Sequence, residues 1–177
     1  MTDFLISAAT FELRGTVTVR KVRESDLKLL EWQGQFRHFR NLFLRSYQGQ
    51  LKGNRYMLVA DYNRYPIARL FIRFSSRNAL IADGHQRAYL YSFYVLEMFR
   101  GQGLGTYLIQ SAETLLKARG FGEISIAVAK DNPGALRLYQ RQGYEVFKED
   151  EGRWQYVDHR GRMRQVHEPC WLLEKHL

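Results

Sequence analysis

Apolar positions along this chain follow two rhythms, one of period two and one near 3.6 residues, and the switches between them lay out the elements. The run TVTVRKV (16–22) alternates as a half-buried strand does. ESDLKLLEW follows, with Ser25 in the N-cap place and apolar residues at Leu27, Leu30 and Trp32. QFRHFRNLFLRSYQGQ continues in helical spacing through Phe36, Phe39, Phe43 and Tyr47. RYMLVAD (55–61), a turn around YNRYP, and IARLFIRF (67–74) read as a hairpin in which Arg69 and Arg73 alternate out of an apolar face. SSRNALIADGHQR reads as a loop, and AYLYSFYV as a strand rich in aromatics.

The second half is more sharply marked. GLGTYLIQSAETLLKARG places apolar residues at 104, 108, 112, 115 and 116 and closes on Gly120 after Lys117 and Arg119, a helix with its stop. EISIAVA reads as a buried strand. DNPGALRLYQRQG is a short helix with Asn132 at the N-cap, Pro133 in the first turn and Gly143 as the stop. YEVF is a further strand, KEDEGRWQYVDHRGRMRQVHEP an irregular excursion or hairpin, and CWLLEK a final strand. Strands interleaved with helices in this order predict an α/β sheet with helices packed on it, in one domain over 1–177.

Charge adds a constraint. A formal net charge of +9 and a pI near 9.8 favour an anionic partner: nucleic acid, an anionic membrane surface, or a phosphorylated cofactor or substrate. The basic residues are scattered, from Arg14 and Arg20 through Arg64, with one small cluster at Arg160, Arg162 and Arg164, which equally describes a solvated basic surface. No nucleic-acid-reading motif occurs, so no nucleic acid partner is expected. The one cysteine, Cys170, excludes an internal disulfide and a multi-cysteine zinc site, and its apolar setting in PCWLL reads as a buried thiol. The five histidines show no ligand spacing, so no metal is expected. The opening MTDFLISAATFELRG carries Asp3 and Glu12 without the basic-then-apolar order of a leader, and no run approaches the ~18 apolar residues of a span. A cytoplasmic chain with no membrane association is the expectation.

The candidate chemistry sits in RGQGLG, between a strand-like run and a helix-like one. GxxxxGK[ST] does not occur. GxGxxG fails twice, because the sixth residue from Gly101 is Thr106 and from Gly103 is Leu108. What remains is a strand-to-helix turn whose first N–H groups lack intrahelical partners and sit at the positive end of the macrodipole, an anion site. Glycines at 103 and 105 would let a phosphate come close. The alternative is a tight turn that merely packs helix on strand.

YVLEMFRGQGLGTYLI resembles the acetyl-CoA motif Q/R-x-x-G-x-G/A of the GCN5-related N-acetyltransferase superfamily at Arg100, Gly103 and Gly105. AVAKDNPGALRLYQRQGYEVF is similar to the family's next block, N-x-x-A-x-x-x-Y-x-x-x-G-F/Y, at Asn132, Ala135, Tyr139, Gly143 and Tyr144. The likeness is close over 88–148, holds by element order over 16–74, and fades in the last residues. It implies a mixed, mostly antiparallel central sheet with helices on both faces and two splayed central strands, the acyl-CoA N-acyltransferase fold. It also implies acetyl-CoA as co-substrate, with the N–H groups of Gln102, Gly103, Leu104, Gly105 and Thr106 on the pyrophosphate. The strand ending at Val95 would pair with the pantetheine arm, and an N–H near Val95 would serve the acetyl oxygen. Asn132 would hydrogen-bond the cofactor, and Tyr139 would protonate the departing thiolate.

Asn132, Ala135 and Tyr139 also fall on one face of a short helix by spacing alone, a small residue between two polar tips. A core tyrosine and a plain N-cap are the alternatives. The family's carboxylate on this strand is missing from AYLYSFYV, which leaves Glu97, Asp83, Glu31, Asp131 and the run Glu149, Asp150, Glu151, or water, as the base. Arg100, Lys130, Arg137 and Arg141 are candidates for the adenosine 3′-phosphate. Trp32, Phe36, His38, Phe39, Trp154 and Tyr156 are core or acceptor-pocket residues. Their poverty in carboxylates argues against a polycationic acceptor and leaves a primary amine on a small molecule or a peptide N-terminus. The acetyl transfer would be direct, in a ternary complex. A CoA-binding regulatory module without catalysis is the rival reading, and a homodimer is left open.

Overall fold

The computed structural model describes residues 15–177; the opening segment read above for a leader, and Arg14, lie outside them. The chain runs β1 (Val17–Lys21), α1 (Asp26–Leu29), α2 (Arg40–Leu51), β2 (Arg55–Tyr62), β3 (Tyr65–Arg73), β4 (Arg87–Val95), α3 (Leu104–Ala118), β5 (Glu123–Ala129), α4 (Pro133–Arg141), β6 (Glu145–Asp150), β7 (Arg153–Val157), β8 (Met163–His167) and β9 (Cys170–His176). Seven strands form one sheet in the order β1-β2-β3-β4-β5-β9-β6. Among the described residues only β4 and β5 pair in parallel; the other neighbours are antiparallel. The expected mixed, mostly antiparallel sheet is therefore present. The last strand slides between β5 and β6, and β7 with β8 stands apart as a two-stranded ribbon.

Both faces of the sheet are covered. On one, Leu108, Ile109, Ala112 and Leu116 of α3 meet Ala68, Leu70 and Ile72 of β3 and Ile124 and Ile126 of β5 in the larger core, with Tyr139 of α4. Each Leu or Ile so buried contributes roughly 2 kcal/mol. On the other, Leu30 and Phe43 pack on Val22, Met57, Val59 and Phe71. Helix capping follows sequence chemistry at α4: the Asn132 side chain accepts from the Ala135 N–H at 3.0 Å, Pro133 opens the helix, and Gly143 leaves it at φ +85°. The β2–β3 turn puts Asn63 and Arg64 at positive φ between the paired Tyr62 and Tyr65, the twist a two-residue hairpin needs.

Two expectations need correction. Ser25 sits before α1 but makes no capping hydrogen bond with its side chain. Asp26 does that work instead: its carboxylate accepts from the Arg23 N–H at 2.7 Å and from both terminal nitrogens of Arg20, at 2.7 and 2.9 Å, while Arg20 also holds Asp61. Arg69 and Arg73 do not point to solvent. β3 is an interior strand with both faces covered, so its alternation separates two cores rather than a core from water; Arg69 is 3% exposed.

Burial pushes the Asp26 carboxyl up, but the Arg20 guanidinium and the Arg23 amide outweigh it and the pKa lies below the ordinary range. A depressed folded-state pKa stabilises the fold above the unfolded value near 4 and is lost as pH falls through the folded value. Asp26→Asn is expected to cost about 2 kcal/mol at pH 7, less than a fully buried pair because Arg20 keeps Asp61. It should also flatten the acid limb of stability, read by urea unfolding at pH 7 and below pH 4; an unchanged acid limb would remove Asp26 from the account.

Candidate active site

The parallel pair β4–β5 is closed at one end and open at the other. Pairing runs from Arg87↔Glu123 to Leu90↔Ile126 and stops there, while β4 continues to Val95 and β5 to Ala129. At the closed end Arg87 bridges Glu123 and Glu174, each at 2.7 Å, tying β4, β5 and β9 together. At the open end β4 carries a bulge: Tyr91 pairs with Phe71 and Tyr94 with Arg69, so Ser92 and Phe93 together oppose one residue, with Ser92 at φ +53°. The splayed central strands expected from the family resemblance are present.

Beyond the bulge, Leu96 N–H donates to the Ile67 carbonyl at 3.0 Å, on the β3 side. Successive amides of a strand point to opposite edges, so the N–H and C=O of Val95 face the gap. Arg100 folds back there: its Nε donates to the Val95 carbonyl at 2.9 Å and its guanidinium lies 5.0 Å from the Tyr94 ring. The side chain is thus engaged at the gap rather than extended toward a distant phosphate.

The glycine loop delivers the start of α3 to the same end. Among the described residues, the N–H groups of Gln102, Gly103, Leu104, Gly105 and Thr106 donate no hydrogen bond; the first of the helix ladder is Tyr107 N–H to Gly103 O at 3.0 Å. Five unsatisfied donors at the positive end of a 15-residue helix make an anion site. The glycines divide the labour. Gly101 and Gly103 take φ +76° and +81°, with nothing within 4 Å of where a Cβ would stand. At Gly105, a Cβ would come within 3.2 Å of Phe93 and 3.5 Å of Leu138. Gly103 keeps the approach open, whereas Gly105 lets α3 lie close against β4 and α4. The absent side chain at Gly105 therefore also serves packing. The Gln102 side chain turns back to the Met98 carbonyl at 3.3 Å.

Tyr139 is buried beside Phe93 and Tyr144, with ring centroids 6.3 and 6.1 Å away. Burial, with Tyr89 nearby, pushes its phenol above the ordinary value, so it stays protonated through the neutral range. Asn132 spends its side-chain oxygen on the cap of α4, which leaves its amide N–H₂ for a ligand. Arg137 and Arg141 are exposed on α4, while Lys130 is held by Glu149 at 2.6 Å and lies 4.4 Å from the Trp171 ring. Cys170 is buried, as its apolar setting indicated.

On the opposite face of the sheet, the ribbon β7–β8 leans on the start of α2. Asn41 donates to the Asp158 carbonyl at 2.6 Å, and Phe39 lies 6.2 Å from Trp154 and 4.9 Å from Tyr156. Phe36 joins this group to Tyr94 of β4 at 4.8 Å. The six aromatic and histidine candidates of the two distant segments are thus assembled into one wall reaching the gap. His38 lies within it, and burial, then His159 and Arg69, press its pKa down, leaving the imidazole neutral. The basic cluster of the sequence has a local purpose: Arg160 and Arg162 give their N–H groups and Arg164 its Nε to the Asp158 carboxylate, closing the ribbon's turn. The Arg162 N–H foremost holds that carboxyl at about 2.

Most of the carboxylates proposed as base are held by partners, while Glu97 and Asp131 are exposed. Glu31 is bound by both Arg40 nitrogens and by Lys28, Asp83 accepts from three successive N–H groups at the closed end of β4, and Glu97 is exposed beside Arg100. Asp150 accepts from Gly152 N–H, Glu151 from His167, and Asp131 is exposed. No group of three metal-ligating side chains gathers among the described residues, and no helix there is long and apolar enough to cross a membrane.

A parted parallel strand pair with a free helix N-terminus at its open end is the architecture of an acyl-CoA-dependent acyltransferase. The profile of the Acetyltransferase (GNAT) family matches residues 19–144, and the chain belongs to that family, an acetyl-CoA-dependent acyltransferase. Its fold is similar to that of Arabidopsis thaliana NAA60 solved with acetyl-CoA, 19% identical, TM-score 0.68, over 92% of this chain and 99% of that one. It is similar also to Thermoplasma acidophilum PaiA N-acetyltransferase in complex with coenzyme A, 16% identical, TM-score 0.68, over 92% and 99%. Arabidopsis thaliana Naa50 in complex with the bisubstrate analogue CoA-Ac-MVNAL is 19% identical, TM-score 0.65, over 90% and 97%.

The two glycines can be told apart by substitution. Gly103→Val forces a β-branched residue to φ +81°, a strain of roughly 2 kcal/mol that disturbs the donor loop. Coenzyme A affinity by calorimetry should fall about tenfold, with Tm lowered only by the few degrees that this strain costs. Gly105→Val meets Phe93 and Leu138 and should lower Tm further than Gly103→Val does. Equal Tm losses in both variants would erase the distinction.

Proposed function

We propose that the protein transfers an acetyl group to a primary amine of a small molecule or a peptide N-terminus, by direct attack in a ternary complex. The observation that carries this reading is the gap between β4 and β5 with the Val95 amide facing it. Acetyl-CoA supplies an acetyl group already activated as a thioester. The unsatisfied N–H groups of residues 102–106 suit its pyrophosphate, the unpaired edge of β4 suits the amides of its pantetheine arm, and the Asn132 amide N–H₂, not used by the helix cap, is a further donor for it. Val95 N–H donates to the acyl oxygen as negative charge grows there. Tyr139 Oη, kept protonated by burial, gives its proton to the departing sulfur.

The amine enters from the aromatic wall of Phe36, Phe39, Tyr94 and Tyr156, and it gives its proton to solvent. That wall suits an apolar or aromatic acceptor better than a polycation. Naa50, similar in fold, was solved with a conjugate of CoA and a peptide, which supports including peptide N-termini among the acceptors.

Thiol release from acetyl-CoA, measured across amines and short peptides, tests the reading; binding without release on any acceptor would overturn it. With an acceptor in hand, Tyr139→Phe is expected to lower kcat about a hundredfold while acetyl-CoA affinity stays within about twofold. Equal turnover in both proteins would remove Tyr139 from the chemistry.

A further inference from the structure

We infer that Arg69 is a positioning residue that clamps the β4 bulge and thereby aims the Val95 amide into the acyl-transfer gap. The inference rests on the acetyltransferase reading above and adds to it a residue outside the cofactor motifs.

Arg69 is a buried cation with no carboxylate within ion-pair distance among the described residues. Its guanidinium carbon lies 4.5, 4.3, 5.0 and 5.5 Å from the ring centroids of Trp32, Phe36, Phe43 and Tyr94. Its Nε donates to Ser92 Oγ at 3.1 Å and its Nη1 approaches the Leu30 carbonyl at 3.4 Å. Burial without a counter-charge brings its pKa down to about 9, so the cation persists at neutral pH, held by ring faces. Such a group is costly to bury; a fold that needed only to fill this space could use a leucine or methionine.

What surrounds Arg69 indicates its use. Among the described residues, five non-glycine positions have positive φ, and two of them, Asn63 and Arg64, serve the β2–β3 turn. The other three are Trp32, Gln33 and Ser92. Trp32 stacks on Arg69 and is fixed by its indole N–H to the Pro66 carbonyl at 2.6 Å; Ser92 accepts from Arg69. Left-handed backbone at such residues persists only where neighbours over-determine it. Arg69 is the group common to both places.

The bulge matters because a strand has period two. Tyr94 faces the aromatic cluster, and Phe93 and Val95 face the α3 core. Straightening the bulge, so that the same residues pair one to one, would shift every later position by one, sending Tyr94 to the α3 side and turning the Val95 amide toward β3. Arg69 holds both sides of the bulge, Ser92 by a hydrogen bond and Tyr94, its cross-strand partner, by the ring.

The test compares Ser92→Ala, which deletes one bond, with Arg69→Met, which keeps the length but deletes bond and charge, and with their combination. Each single variant is expected to lower kcat per CoA-binding site about tenfold or more, with acetyl-CoA KM within about threefold. The double variant should be no worse than Arg69→Met, because both act through one bond. Hydrogen exchange of the amides of residues 92–96 should rise in both, while that of 67–72 is unchanged. A merely structural role predicts fewer CoA-binding sites and lower Tm with kcat per site intact. That result, additive losses, or unchanged exchange at 92–96 would overturn the clamp. If the unsubstituted protein turns over no amine, the proposed function fails, and exchange at 92–96 alone decides the clamp.

Discussion

The parting of β4 from β5 after Leu90 is the constraint on which the working end of this molecule depends. Parallel neighbours normally satisfy each other's amides along their whole length; here the pairing is enforced at one end and refused at the other. Arg87, bridging carboxylates on β5 and β9, fastens the closed end with charge-assisted bonds. Five residues on, the bulge at Ser92 and Phe93 bends β4 away from β5 and leaves its last β5-facing amides without strand partners. The first turn of α3 arrives at the same opening because the chain must cross over from β4 to reach β5. Backbone donors from a strand edge and from a helix start therefore converge without any catalytic side chain having to place them.

The distribution of charge follows a similar economy. A net charge of +9 suggests a polyanion surface, yet several individual cations are engaged by carboxylates of the fold. Arg20 serves two aspartates, Arg40 wraps Glu31, and in the β7–β8 turn Arg164 pairs with Asp158, which also accepts from the backbone N–H groups of Arg160 and Arg162. Surface ion pairs of this kind contribute little each, about 0–1 kcal/mol, but those sharing a buried carboxylate fix the course of a loop. The β7–β8 ribbon is an instance: Asp158 shapes its turn, Asn41 docks it, and aromatic contacts finish the wall facing the gap.

Local chemistry explains what was readable in advance. The α3 stripe, the Asn132–Pro133 start and Gly143 stop of α4, and the hairpin of β2 and β3 each depend on residues adjacent in sequence, so spacing reveals them. The donor loop was legible because glycines at positive φ and unpaired first-turn amides are properties of a dozen neighbouring residues. Arg69 and Arg73 were misread because alternation on a strand does not say whether its second face meets water or a second core. Ser92 left no mark at all: a serine forced to positive φ carries none of the sequence signature a glycine would, and the force comes from β3, 23 residues earlier.

By itself, then, the sequence determined the helices, the turns and the donor loop at Gln102–Thr106, since each is set by interactions within a few residues. Tertiary structure decided the rest. It placed β9 between β5 and β6, assigned Gly105 to packing and Gly103 to access, and gathered Phe36, Tyr94 and Tyr156 into one wall. It also turned Arg69 inward onto the bulge. Those outcomes depend on which distant surfaces compete for the same buried space, and no window of sequence contains both competitors.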